Sequence, residues 1–408
     1  MTLFRKSVTV AAAIVLVACN APQSLKHDAS HGGAPKHAHT MTMDVASDEH
    51  QRSLDQLIGD YRPPAALNLG AMRALQKEQS KWMKKRVIYV GETHDRLDHH
   101  LNQLTIIKHQ FQLTPNLAIG MEFFQQPFQP VLDDFIAGRI SEKEMLKKTE
   151  YYSRWGFDYR LYKPIMDFAR ENRIPVIALD LPMEIRRKVG RQGIESLSEE
   201  ERLALPEEID LSDSHYRDRL MASFRGHTNL KSQFDNFFAA QVVRDETMAE
   251  QVVDYLNAHP GHRMVVLAGA GHLDYGSGIP NRVKRRMSAI DALIVLNFSG
   301  FELDTAVGDY VLSTQELPLP SSGKLGVYLE SVAEGGVSVS RFAGGSPAEE
   351  AGLLVDDIIV AVDDEPIADL TDLKYYLMSK RPNESVAVKV TRVQKDEKKD
   401  KEFSISLR

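Results

Sequence analysis

The sequence predicts an α/β protein: an open, mostly parallel sheet flanked by helices, followed by a small β-rich module. Three observations carry that expectation. Five short apolar runs rich in Val and Ile recur along the chain with helical patterns between them. Each run lacks the polar alternation of a half-exposed strand. A stretch rich in Pro, Ser and Gly then sets off the C-terminal part. Continuous apolar runs suit strands covered on both faces, as in a parallel sheet. Strand alternating with helix is the pattern of an open α/β sheet.

The five runs are Val87–Val90, Leu117–Met121, Val176–Leu179, Met264–Ala268 and Ala292–Leu296. Between the first two, Leu101, Leu104, Ile107 and Phe111 keep a three-to-four spacing, which predicts a helix over His99–Phe111. A longer helix is predicted over Leu230–Leu256, carrying Leu230, Phe234, Phe237, Phe238, Met248, Val252 and Leu256. His259-Pro260-Gly261 supplies its stop signal.

A length of 408 residues exceeds the ~150 of an average domain, so two or three domains are expected. With 43% hydrophobic and 26% charged residues the chain is neither disordered, fibrous nor a multi-span membrane protein. A net charge of −7 offers no basic face, so nucleic acid is not an expected partner.

The N-terminus reads as an address. Arg5 and Lys6 precede an apolar run from Val8 to Ala18, too short to cross a bilayer, where a helix needs about 20 residues. Leu16-Val17-Ala18-Cys19 resembles a lipobox, which implies cleavage after residue 18 and acylation of Cys19. Several acyl chains at one terminus anchor a protein durably. Asn20 after the cysteine implies sorting to the outer membrane, so the chain is expected in the bacterial cell envelope, lipid-anchored and facing the periplasm. Loss of Arg5 and Lys6 leaves −9 on the mature chain. Residues 19–50 read as a flexible, His-rich tether with His27, His31, His37, His39 and His50, whose imidazoles suit transition metals.

Polar residues gather where the strands end. Glu92 and His94 follow the first run, Glu122 the second, Asp180 the third, Gly269-Ala270-Gly271-His272 the fourth and Asn297 the fifth. Ligands bind beyond the carboxyl ends of strands in open α/β sheets, so these side chains are expected on one rim. Glu92, His94, Glu122 and His272 there suit a divalent metal or a general acid/base pair. His99 lies on the first helix and joins the rim if that helix starts there, with His100 then facing elsewhere into solvent.

Several motifs together resemble the ChaN family of haem-binding lipoproteins. They are Gly91-Glu92-Thr93-His94, His99-His100 with Gln103, Met121-Glu122-Phe123, Trp155 through Tyr162-Lys163-Pro164, Gln241-Val242-Val243-Arg244-Asp245 with Met248-Ala249, and Gly269-Ala270-Gly271-His272. The matching domain is placed at residues 51–305. That family belongs to the Tiki superfamily, which also holds metal-dependent peptidases and erythromycin esterases. The resemblance thus implies haem binding for iron acquisition, or alternatively metal-assisted hydrolysis at the Glu/His rim. Haem needs flat apolar walls, an axial ligand and cations for its carboxylates, and Tyr is an axial ligand of ferric haem. Tyr151–Tyr162 holds four Tyr, one Trp, one Phe and two Arg. Tyr159 and Tyr162 are the expected ligands, not distinguished from each other, with Arg154 and His99 completing the cofactor set. In the hydrolase reading Glu92 or Glu122 deprotonates water, while His94 and His272 hold metal or polarise the substrate. Neither Gly-x-Ser-x-Gly nor HExxH occurs.

Residues 306–322 are expected to be a linker. Beyond them, Lys324-Leu325-Gly326-Val327, the Ser346-Pro347-Ala348 turn running to Ala351-Gly352-Leu353, and Val355–Val362 resemble an HtrA-type PDZ domain over 323–408. Asp356 and Asp364 stand where that pattern has Gly and are expected at turns. A PDZ groove adds a chain terminus as a strand to a sheet edge. The resemblance implies that the amides of Leu325, Gly326 and Val327 hold the terminal carboxylate and that Leu370 and Leu373 line the side-chain pocket. A scaffold role for this module, with an inert first domain, is a further alternative, and a homodimer is compatible with the sequence. Residues Val386–Arg408 read as a hairpin whose Lys395–Lys401 stretch is an exposed loop. Cys19 is the one cysteine, so any metal or iron in the folded domains must rely on His, Tyr and carboxylates.

Overall fold

The computed structural model describes residues 54–61, 65–68, 71–224, 231–298, 306–394 and 397–408. The expected signal segment, Cys19 as the expected acylation site and the expected His-rich tether lie outside the described residues. No helix among the described residues is long and apolar enough to cross a membrane.

Eight strands form the first sheet: β1 (Ala65–Asn68), β2 (Ala71–Ala74), β3 (Val87–Glu92), β4 (Leu117–Gln125), β5 (Val176–Asp180), β6 (Arg263–Gly269), β7 (Ala292–Asn297) and β8 (Tyr310–Ser313). Their order is β2-β1-β8-β7-β3-β6-β4-β5. The six strands from β8 to β5 run parallel, and the β1–β2 hairpin closes one edge antiparallel to β8. All five predicted apolar runs are strands, and β3 and β4 are buried along their whole length. The expected linker is partly structural: Tyr310–Ser313 within it is β8, inserted between β7 and β1.

Burial on both faces explains the continuous runs. Ile88 and Val90 face one core with Met121, Phe135 and Tyr162. Val87 and Tyr89 face a second with Met248, Val252, Val266 and Ile279. Each such aliphatic side chain contributes about 1.5–3 kcal/mol on burial. The helix Leu97–Leu113 covers the first face and Lys231–Ala258 the second, both matching the predicted patterns. Gly91 is required where β3 turns toward the site, since a Cβ there would come 2.6 Å from Leu296 Cδ2 and 3.2 Å from Ala270 Cα.

The C-terminal module has strands β9 (Val327–Ser331), β10 (Val337–Phe342), β11 (Ile358–Val362), β12 (Glu365–Pro366), β13 (Ser385–Gln394) and β14 (Glu397–Ser406), with helix Leu370–Met378. The order is β14-β13-β11-β10-β9, with β12 on β11, leaving β9 at an edge. β13 and β14 form the expected hairpin, but Lys398–Lys401 are strand residues rather than loop. Asp356 does adopt positive φ (70°), whereas at the second turn Asp363 (51°), one residue before Asp364, does so.

The module is fastened to the α/β domain. Asp372, nearly buried, takes Lys143 Nζ at 2.8 Å and Lys147 Nζ at 2.7 Å. Lys374 Nζ lies 4.8 Å from the Tyr152 ring centre, and Tyr375 and Met378 pack against the first core. Arg160 Nη1 donates to the Pro320 carbonyl at 2.8 Å.

Candidate functional site

The carboxyl ends of β3, β4, β5 and β6 bring Glu92, His94, Glu122, Asp180 and His272 together, joined by Arg244 and Asp245 from helix Lys231–Ala258. Parallel strands place all their C-terminal residues on one rim, which is why residues far apart in sequence converge. The pair Arg244-Asp245 follows two apolar residues, Val242-Val243, on a helix stretch buried on every side, and that is the signal that marks it. Its direct part in the rim escaped sequence reasoning.

Arg244 organises one half. Its guanidinium donates to Asp180 through Nε at 2.9 Å and Nη2 at 2.8 Å, and Nη2 also reaches Glu122 Oε1 at 2.6 Å. The other Glu122 oxygen accepts the Gly269 N–H at 2.7 Å. Burial works to raise the Glu122 pKa, but His272 and Arg244 hold it well below the carboxylate range. His272 presents Nδ1 to Asp245 Oδ1 at 2.6 Å and Nε2 to Glu122 Oε1 at 3.3 Å. Tyr216 Oη donates to the second Asp245 oxygen at 2.7 Å. Burial opposes the imidazolium, yet Glu122 and Asp245 raise the His272 pKa to about 10. This half is a closed network of compensated charges.

Glu92 organises the other half. His94 Nδ1 lies 2.7 Å from Glu92 Oε1 and His100 Nδ1 2.8 Å from Oε2. Burial works against the carboxylate, but the two imidazoles lower its pKa to about 2. His94 keeps 16% of its side chain exposed, edge-on to Trp155 at 4.8 Å and beside Phe157 at 5.0 Å. Its ring lies against Gly269, where a Cβ would come 2.8 Å from Cε1 and 3.2 Å from Nε2.

Both adjacent histidines are buried, and His100 rather than His99 meets the rim carboxylate Glu92. His100, expected in solvent, is buried against Glu92, with Nε2 3.1 Å from the His94 carbonyl. His99, expected at the cofactor, is also buried, and its Nδ1 accepts the Thr93 N–H at 2.9 Å. Helix Leu97–Leu113 starts two residues before His99, and that start turns His100 onto the rim.

The expected haem ligands are committed elsewhere. Tyr162 is buried; its Oη donates to the His94 carbonyl at 3.2 Å and accepts Trp155 Nε1–H at 3.0 Å. Tyr159 is wholly buried in the first core, 5.4 Å from the Tyr151 ring. Burial pushes both phenols well above their usual range, which disfavours the phenolate an iron ligand needs. Arg154 is engaged by Gln125, Glu150 and Glu184. Among the described residues no three or more His, Cys, Asp or Glu side chains are set to hold a metal ion. The expected set of Glu92, His94, Glu122 and His272 is divided, because the Arg244 guanidinium bonds to Glu122 and lies beside His272, where a shared cation would sit.

In the C-terminal module Leu325 is buried, its carbonyl accepting Ser346 Oγ–H at 3.1 Å. Gly326 has φ of 72° and would meet Ser346 Cα at 2.9 Å if it carried a Cβ, so the loop needs glycine. Val327 begins the edge strand β9 and Leu370 is half-buried at the start of the helix. Leu373 is 1% exposed and belongs to the core beneath the groove rather than to its lining.

Comparisons with known proteins agree with this architecture. A structure of ChaN of Campylobacter jejuni, described as showing cofacial heme binding, superposes with a TM-score of 0.51 at 19% identity, covering 61% of this chain and 96% of that one. This likeness concerns the fold. Protein RETICULATA-RELATED 5, chloroplastic, of Arabidopsis thaliana is 28% identical over 250 residues, 56% of this chain. The chain spans about a third of that relative, 34% of its length. The HtrA3 PDZ domain bound to a phage-derived ligand matches at 23% identity over 21% of this chain and 85% of that one, with a TM-score of 0.18. The PDZ family profile matches residues 323–407. The profile of the family described as haem-binding uptake, Tiki superfamily, ChaN matches residues 79–283, half of the sequence, and the chain belongs to that family.

Proposed function

We propose that the protein is a lipoprotein of the bacterial cell envelope that binds haem for iron acquisition, held on the membrane through acylated Cys19, and that its PDZ module captures extended protein termini. Family membership over residues 79–283 carries the haem reading. The buried rim itself does not fit haem: Tyr159 and Tyr162 are closed off, Arg244 is saturated by carboxylates and the His94 ring lies on Gly269. A cofactor with a flat, largely apolar face therefore requires another part of the domain.

Titration of the purified protein with haemin, followed by absorption, tests the reading. A saturable spectral change at one equivalent per chain supports it, and a spectrum identical to free haemin defeats it. Acylation is tested by metabolic labelling with a fatty acid, where Cys19→Ala abolishes incorporation and releases the protein from the membrane fraction.

One observation favours a second reading, hydrolysis. His94 is a partly exposed imidazole with a buried carboxylate on Nδ1, the arrangement that orients a general base. Glu92→Gln would then abolish ester or peptide cleavage while leaving the haemin titration unchanged.

A further inference from the structure

The second face of the sheet carries a cavity of about 920 Å³ that the rim chemistry does not use, within the ~300–1,000 Å³ range of small-molecule sites. It lies between β7, helix Ser214–Phe224 and helix Ile279–Arg286. Tyr89 of β3, beside β7 in the sheet, forms its buried end, while Asp218, Lys284 and Asp309 are exposed at its mouth. Half-buried Ile290 and Ile294 add an apolar wall.

The charge on the lining is negative. Asp213, Asp218 and Asp309 contribute three carboxylates, and among the described residues none of them sits in an ion pair. Asp213 caps the Tyr216 N–H at 2.9 Å through Oδ1, and Asp309 accepts the Ile294 N–H at 2.8 Å through Oδ2. Both side chains are therefore held in place by the backbone. Of the two lining cations, Arg219 is offset by Asp274 Oδ1 at 3.0 Å, which leaves Lys284 against the three carboxylates. A cleft lined by one sign of charge concentrates ligands of the other.

The buried end points to a ligand independently. Tyr89 is 99% buried, and its Oη has no hydrogen-bond partner in the protein. Burial pushes the phenol well above its usual range, so the hydroxyl keeps its proton and is a donor without an acceptor. Such a group in the middle of a parallel sheet is costly to leave unpaired, and a Phe would pack there without that cost.

We propose that this cavity binds an amphiphilic amine, with an ammonium group at the carboxylate mouth, an apolar ring or chain against Ile290 and Ile294, and a hydroxyl or carbonyl at the buried end that accepts the Tyr89 hydroxyl proton. The site is separate from the rim, and it does not depend on the haem reading.

Calorimetric titration of the full chain with three small probes tests the assignment. Tyramine carries both the ammonium and the terminal hydroxyl and should bind saturably. The matching hydroxyphenylpropionate, with a carboxylate in place of the ammonium, should bind at least about tenfold more weakly. Phenethylamine, which lacks the hydroxyl, should bind about fivefold more weakly than tyramine. Asp218→Asn combined with Asp309→Asn keeps the acceptor for the Ile294 N–H but removes two charges. It should erase the preference for tyramine over the propionate. Tyr89→Phe should raise the Tm of the free protein and bring tyramine down to the affinity of phenethylamine. A purely structural Tyr89 would change the Tm and leave the affinities alone, and that outcome defeats the proposal. So does equal binding of tyramine and the propionate by the wild type, or no tyramine binding at all.

Discussion

His272 Nδ1 lies 2.6 Å from Asp245 Oδ1, and Tyr216 Oη closes the other Asp245 oxygen at 2.7 Å. The carboxylate is fully buried, so this contact, together with Glu122 on the far side of the ring, keeps the imidazole charged. A His whose pKa rises from about 6.5 to about 10 on folding stabilises the fold fully below pH 6.5 and loses that contribution as pH rises through 10. Asp245→Asn should lower the His272 pKa by more than one unit, read by NMR titration of the imidazole, and bring alkaline unfolding to a lower pH.

Arg244 compensates two buried carboxylates at once. Arg244→Met leaves Asp180 without its forked guanidinium and Glu122 with His272 as its cationic partner, and breaking a buried ion pair from one side costs about 3–5 kcal/mol. Denaturant unfolding should show a loss of that order. Arg244→Lys, which keeps the charge but not the forked geometry, should lose less.

His99 predicts the acid limb. Burial lowers its pKa to about 4, against a weaker opposing pull from Asp98. A histidine held neutral stabilises the fold above its ordinary value near 6.5 and loses that stability as pH falls toward 4. The Tm should therefore drop between pH 6.5 and 4.5, above the range where Glu92 protonates, and His99→Asn should flatten that segment of the profile.

The contact between the domains is testable through Asp372. It sits 3% exposed between Lys143 and Lys147. Lys143→Ala with Lys147→Ala leaves that carboxylate uncompensated, and calorimetry should resolve a separate transition for residues 323–408, where the wild type melts as one.

The strands were legible because burial on both faces leaves nothing polar in the runs at Val87, Leu117, Val176, Met264 and Ala292. The rim was legible for the same geometric reason. What escaped was orientation: His99 and His100 are both buried, and which of them meets Glu92 depends on where helix Leu97–Leu113 begins, a matter of one residue that periodicity does not resolve. Tyr159 and Tyr162 looked like ligands because their composition suits haem equally well as a packed core, and composition carries no exposure. β8 hid in a segment whose prolines read as linker.

The fastening of helix Leu370–Met378 onto the α/β domain has a mechanical consequence. A tail gripped at β9 cannot swing freely about a hinge, so its owner is delivered to the α/β domain at a constant distance and bearing. Local concentration then depends on the short remaining slack in the captured tail, not on diffusion of two tethered bodies. Even a weak grip at the groove would accordingly keep the owner of a captured tail beside the α/β domain.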